Sequence, residues 1–222
     1  MKVRFLPRAP DMKITKFGHC CFLVEEGGLR ILTDPGIYSD QQNELKDIDF
    51  ILITHDHTDH LHVDSLKEVL KNNPRAKVIT NQGVGLLLQK ENIPFDLLED
   101  SQKLEVGGVL LEGFGQNHTL IHSSIPLSAN TGYFIANKLF YPGDAFINPH
   151  RPVEILALPV AGPWLTLANA IDYALELKPK TCFPVHEGIL KSPGTVHRIP
   201  PLVLEPTGIK FVIFEPGKEY EF

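Results

Sequence analysis

The chain has 222 residues, 43% of them hydrophobic and 22% charged. That excludes wholesale disorder and allows a core that needs no disulfides. The net charge of -6 offers no basic footprint of the kind nucleic-acid binding requires, so no nucleic-acid partner is expected. Met1–Pro7 carries charge but no apolar core segment, so no secretory leader is expected. Three cysteines, with Cys20 and Cys21 adjacent, make no disulfide framework and point to a reduced, cytoplasmic setting.

In chain order, short apolar runs predict strands over 13–17, 21–25 and 29–33, with Gly27-Gly28 as a hairpin turn and Asp34-Pro35-Gly36 ending the third. Phe50 to Thr54 is a continuous apolar run, as a strand buried on both faces requires. Ser65-x-x-Glu68 reads as a capping box opening a helix, and a second helix is expected around Gly83 to Glu91. Strands follow over 103–106, 109–114, 132–135, 138–141 and 155–158. A helix runs from about Thr166 to Leu177, and strands over 181–185 and 209–214 close the chain. The run from Ile155 to Ile171 is broken by Pro159, Gly162 and Pro163, so no membrane-spanning segment is expected. Two batches of strands, each followed by helices, predict an α/β fold, a four-layer αββα sandwich, with residues 1–222 as one domain.

Ten histidines stand out in the composition. The densest cluster is Thr54-His55-Asp56-His57-Thr58-Asp59-His60, directly after a buried strand, where packing has no use for so many polar side chains. His55 and His57 are two apart and share one side of an extended backbone, while Asp59 and His60 face a second position. Imidazole and carboxylate without a cysteine pair suit Zn, Mn or Fe.

His-x-His-x-Asp-His after a buried strand resembles the metallo-β-lactamase superfamily of two-metal hydrolases, in its style the branch with L-ascorbate-6-phosphate lactonase and N-acylphosphatidylethanolamine phospholipase D. The resemblance extends through Phe17-Gly18-His19-Cys20-Cys21-Phe22-Leu23-Val24, Leu32-Thr33-Asp34-Pro35-Gly36, Tyr141-Pro142-Gly143-Asp144 and Phe183-Pro184-Val185-His186. It implies the metallo-β-lactamase fold and two divalent ions, zinc first and manganese or iron as alternatives. One ion would be held by His55, His57 and a mid-chain histidine; the other by Asp59, His60 and His186, with Asp144 bridging. Spacing favours His118 over His122 as the mid-chain ligand. Such a pair shares a water, acidifies it to a hydroxide and polarises the bond under attack. The resemblance further gives Asp59 a catalytic role, orienting the nucleophile or receiving its proton.

Asp34 and Asp56 are the candidates to hold the outer nitrogens of the metal-facing histidines. His19 is open between a site role and an ordinary core histidine, and His62 reads as structural. His150 with Arg151, and Lys191 with His197 and Arg198, are placed in loops that an anionic substrate would meet. Cys182 reads as packing, and Trp164 is open between pocket lining and core. The expected activity is cleavage of an ester, lactone, amide or phosphodiester bond of a small molecule. Its rivals are a metal-binding sensor without turnover and a nucleic-acid phosphodiesterase. Oligomeric state is not legible.

Overall fold

The computed structural model describes residues 12–222, so the leader expectation at residues 1–7 lies outside the described residues. The first three strands, β1 (Lys13–Gly18), β2 (Cys21–Glu26) and β3 (Leu29–Thr33), form an antiparallel meander. Gly27 and Gly28 supply its turn with φ of 60° and 82°, a region that favours glycine. β4 (Phe50–Leu52), β5 (Lys77–Thr80) and β6 (Phe95–Leu97) then add in parallel, connected by α1 (Val63–Asn72) and α2 (Gln82–Lys90).

The second half repeats the plan. β7 (Lys103–Val106), β8 (Val109–Phe114), β9 (Gly132–Ile135) and β10 (Leu139–Tyr141) are antiparallel. β11 (Ile155–Pro159), β12 (Thr181–Val185) and β13 (Lys210–Phe211) then add in parallel, with α3 (Leu167–Leu177) and α4 (Gly194–Leu204) as connections. β14 (Glu219–Glu221) returns to pair with β1. The two seven-stranded sheets therefore run β14-β1-β2-β3-β4-β5-β6 and β7-β8-β9-β10-β11-β12-β13, each with three antiparallel pairings followed by three parallel ones. β1 corresponds to β8 in this scheme, and β3 to β10.

Alternation along the strands explains the layers. On β2, Phe22 and Val24 enter a core shared with Ile135, Tyr141, Ile155 and Phe183 of the other sheet. Cys21 and Leu23 point the other way, onto Leu66 and Val69 of α1 and Val84 and Leu88 of α2. Leu156, Leu158 and Cys182 likewise face Ala170 and Ala174 of α3 and Val196 and Leu204 of α4. Both faces of each sheet are covered, so the expected αββα sandwich is what forms, and Cys182 is packing as expected.

Local expectations fared differently. Thr166 caps α3 through a capping box with Asn169, and Lys178 ends it in the left-handed region at φ 51°. The Ser65-x-x-Glu68 box does not form. Leu61 N–H bonds the His57 carbonyl, closing the histidine loop, and the chain runs straight into α1 with His62 at the N-cap. Ser65 thus lies inside the helix and pairs with His62 Nδ1 at 2.9 Å, which gives His62 its structural role. His197 and Arg198 lie on α4, not in a loop. Pro200 and Pro201 look like helix breakers, but Val196, Pro200 and Leu204 recur every four residues and bury one stripe of α4, which outweighs the lost backbone bonds. The expected strand at 209–214 shortens to two residues, because Phe214 turns into the core, where its ring stacks on Phe183 and Tyr220 at 4.6 and 4.3 Å.

Candidate metal centre

The chemistry-bearing side chains all sit just past carboxyl ends of strands. His19 follows β1, Asp34 follows β3, and His55 to His60 follow β4; in the other sheet His118 follows β8, Asp144 follows β10 and His186 follows β12. The alternating antiparallel pairs give β1 the direction of β3, and β8 that of β10, so these ends share one edge of the sandwich.

At that edge, among the described residues, His55, His57, His118 and Asp144 bring one ligand atom each within 4.8 Å of one another, and so do His19, Asp59, His60 and His186. All seven sequence-predicted residues are therefore together. Asp144 lies between the groups: its Oδ1 is 3.2 Å from His60 Nε2, and its Oδ2 is 2.8 Å from His186 Nε2 and 3.3 Å from His118 Nε2. The Nε2 atoms of His60, His118 and His186 and Oδ1 of Asp144 are buried without a hydrogen-bond partner. Orphaned polar atoms converging in a core are costly unless something satisfies them, and a bound cation would do so here. The donor set and its geometry thus fit divalent metal.

The outer nitrogens of His55, His60 and His118 are held, whereas Nδ1 of His186 is buried without a partner. Thr54 Oγ1 donates to Asp34 Oδ2 at 2.7 Å and lies 3.0 Å from His55 Nδ1, so it accepts the His55 Nδ1 proton. Asp34 also accepts from His60 Nδ1 at 2.7 Å, from the Thr54 amide at 2.8 Å and from the Tyr141 hydroxyl. His118 Nδ1 donates to the Thr119 carbonyl. Each bond places the proton on Nδ1 and leaves Nε2 bare for a ligand. His57 is turned instead with Nδ1 inward, 3.1 Å from His55 Nε2, and Nε2 against Ser128 at 3.2 Å.

Charge follows the same geometry. Burial opposes ionisation of Asp144, yet the imidazoles of His60 and His186 outweigh it and hold the carboxyl well below the usual range. Asp59 is lowered too, its burial overcome by the hydrogen bond from His19 and by His60 and His186. Burial and the neighbouring His60 keep His55 neutral, with its pKa pushed well down. His57 is lowered as well, by burial and by His118, whereas the carboxylate of Asp144 outweighs burial and raises His60 well above the usual imidazole range. Two anionic carboxylates at the centre of this cluster form a ready cation site.

Sequence candidates sort out accordingly. Asp34 is completely buried and holds His60, whereas Asp56 is exposed. His118 is buried in the first group, and His122 is exposed with its Nδ1 on Ser124 Oγ. His118→Ala is therefore expected to lower bound metal by elemental analysis at least ~10-fold more than His122→Ala; equal losses would remove His118 from the site. Arg151 pairs with Glu112 and lies over the Phe134 ring at 4.1 Å, so it is not a loop cation awaiting substrate. His197 is 3.6 Å from Glu187. His150, Lys191 and Arg198 are exposed. Trp164 is both core and site, with its buried indole N–H donating to Asp144 Oδ2 at 2.8 Å.

Sequence reasoning missed three participants. Asn130 accepts the Asp144 amide at 3.0 Å and donates to the Pro142 carbonyl, which sets the Pro-Gly-Asp turn. Tyr141 reads as strand filler, but its hydroxyl reaches Asp34. Cys20 groups with His60 and Asp144, its thiol brought down to about 6 because His60 and His19 outweigh burial. Only the Gly-His-Cys stretch of the resemblance pointed towards Cys20. Gly36 is a steric necessity: a Cβ there would lie 1.8 Å from the Asp59 carbonyl oxygen.

Outside the candidate ligands, exposed apolar side chains gather at this edge. Leu120, Ile125 and Leu127 share a cleft with His57 and His118; Tyr38 lies 5.0 Å from the His19 ring; Ile189 follows Gly188, which backs onto His19.

Residues 13–186 match the family described as the beta-lactamase superfamily domain. A Mycobacterium tuberculosis protein is 33% identical over 184 residues, covering 81% of this chain and 85% of its own. A metal-dependent hydrolase of Archaeoglobus fulgidus is 26% identical over 248 residues, covering 95% of this chain and 99% of its own. Among solved structures, a metallo hydrolase from Ignicoccus hospitalis has a TM-score of 0.73 at 22% identity, over 95% of this chain and 98% of that one. With the family matched across both halves of the sandwich and its ligand motifs converging at one edge, the chain belongs to the metallo-β-lactamase superfamily.

Proposed function

We propose that the protein is a hydrolase in which His55, His57, His118 and Asp144 hold one divalent ion and Asp59, His60, His186 and Asp144 hold a second. The observation that carries this reading is the convergence of buried, unpartnered ligand atoms from both sheets on Asp144. Bound there, the ions would supply Lewis acidity, acidifying a water towards a pKa of ~7 and polarising the bond under attack. The chain's own residues do the rest. Asp34, Thr54 and the Thr119 carbonyl fix the rings, and Trp164 fixes Asp144. Asp59, partly exposed at the mouth and held anionic, orients the attacking water or takes its proton.

The substrate is a small ester, lactone, amide or phosphodiester. The mouth around Leu120, Ile125 and Tyr38 favours one with an apolar group beside the scissile bond. With Arg151 engaged by Glu112, an anionic handle has less support than it has from the sequence. Zinc is the first choice of metal, since imidazole and carboxylate dominate the donor set. Three buried, unpaired cysteines suit the cytoplasm. No described helix is long and apolar enough to cross a membrane. The core common to both sheets supports one domain with one site.

The test loads the protein separately with zinc, manganese and iron, and counts metal. It then assays chromogenic esters, lactones, thioesters and phosphodiesters with short and long apolar groups. The reading expects two ions per chain and metal-dependent turnover that improves with the apolar group. Two tightly bound ions with no turnover on any substrate would make the protein a metal-binding module instead.

A further inference from the structure

His19 lies within 4.8 Å of Asp59, His60 and His186 and looks like a fourth ligand of that group. It corresponds to His118, since β1 and β8 occupy equivalent places in the two sheets. Its hydrogen bonds are the reverse of those on His118. The Gly188 backbone N–H donates to His19 Nδ1 at 3.1 Å, so that nitrogen offers a lone pair and the proton resides on Nε2. Nε2 stands 3.2 Å from Asp59 Oδ2. A ring arranged in this way donates to the carboxylate and has no lone pair left for a metal. His118, by contrast, donates through Nδ1 to Thr119 and leaves Nε2 bare.

The surroundings hold this arrangement. His19 is 2% exposed and sits in the left-handed region at φ 47°. Its ring packs on His186 at 4.2 Å and on Tyr38 at 5.0 Å. A Cβ on residue 188 would come within 2.9 Å of His19 Cβ and 3.0 Å of Nδ1, so only glycine brings its amide this near. Backbone strain at a buried histidine persists where surrounding structure over-determines it, as it does here.

We propose that His19 is a positioning residue and not a metal ligand: its Nε2–H, set by the Gly188 amide, holds Oδ2 of Asp59 and so aims that carboxylate at the reacting water. This rests on the proposed metal site, but the His19 tautomer can be read without any activity.

The decisive measurement is NMR of the protein with nitrogen-labelled histidine, loaded with NMR-active cadmium, and with His19 assigned from the His19→Gln spectrum. The expected result is a His19 ring protonated at Nε2, bare at Nδ1 and without coupling to cadmium, while His60 and His186 couple. Cadmium coupling to His19, or a proton on its Nδ1, would overturn the proposal. If no histidine couples, the metal site itself fails, and the tautomer still decides the Gly188 bond. Variants supply the second arm. His19→Leu and His19→Gln carry the same cost of a positive φ, but glutamine restores an N–H donor. His19→Leu is expected to keep both metals and lose about 10–100-fold in kcat with KM nearly unchanged, and His19→Gln to regain most of that loss. Loss of one metal equivalent in His19→Leu, or no difference between the two variants, would show that His19 does not act through Asp59 in this way.

Discussion

Asp144→Ala will empty both ligand groups at once, which no other single substitution in the site is expected to do. Its two oxygens face His60 on one side and His118 and His186 on the other, all within 3.3 Å. The carboxylate is the anion that makes convergence of several imidazoles tolerable. Without it, a divalent ion at either group loses a charged ligand, and the remaining ligands are neutral rings plus Asp59. The loss of activity should exceed the ~10–100-fold seen when only an outer partner of a ligand is removed. Metal per chain, measured after dialysis, should fall for both ions. His57→Ala serves as the control, because His57 belongs to one group alone; it should lose one ion preferentially. Retention of two ions by Asp144→Ala would end the bridging assignment.

Asp34→Ala is expected to damage stability as much as chemistry. Asp34 is 0% exposed and accepts four hydrogen bonds, from the Thr54 amide, the Thr54 hydroxyl, His60 Nδ1 and the Tyr141 hydroxyl. Alanine deprives all four donors of their buried carboxylate, and breaking a buried charge-assisted set of this kind costs about 3–5 kcal/mol. Alanine also tolerates φ of 32° less well than aspartate does. Urea unfolding of metal-free protein should show the loss as a lower midpoint with an unchanged slope. Metal-loaded protein should show in addition a weakened second group, since only the longer contacts to the Thr54 hydroxyl at 3.4 Å and the Tyr141 hydroxyl at 3.3 Å then hold His60 with its proton on Nδ1. A change below about 1 kcal/mol would mean that water replaces the carboxylate and that Asp34 is not the anchor of the site.

The two substitutions probe different layers of one construction. Asp144 stands for the ligand atoms themselves, and Asp34 for the network that decides which nitrogen of each ring faces inward. His55, His60 and His118 are all buried, and a ring turned the wrong way there would offer a metal an N–H. Correct placement of the proton is therefore as necessary as correct placement of the ring.

Much of this was legible before any fold was known. Patterns of period two and short apolar runs mark most of the strands. His55, His57, Asp59 and His60 lie within six residues, so local backbone alone brings them near one another. The resemblance of Tyr141-Pro142-Gly143-Asp144 and Phe183-Pro184-Val185-His186 to known motifs supplied Asp144 and His186 as candidates, and spacing supplied His118. Short edge strands such as β6 and β14 escaped, because three residues are too few for a periodic signal. α4 escaped because its two prolines read as breakers until the buried stripe through Val196, Pro200 and Leu204 is seen against α3.

What the sequence by itself determined is which residues are the candidates for metal chemistry and at which strand ends they stand; what only the tertiary structure decided is which partners each of them meets there. His19 and His118 are the same residue type after equivalent strands, yet one meets the Gly188 amide and the other the Thr119 carbonyl. Asp34 and Asp56 are both plausible partners by spacing, yet one is enclosed by Thr54, His60 and Tyr141 and the other is exposed. The physical reason is common to both pairs. The role of an imidazole or a carboxylate depends on which donor or acceptor its outer atoms meet. The deciding partner of His19 lies 169 residues away in the chain, and those of Asp34 lie 20, 26 and 107 residues away, so no local spacing encodes them.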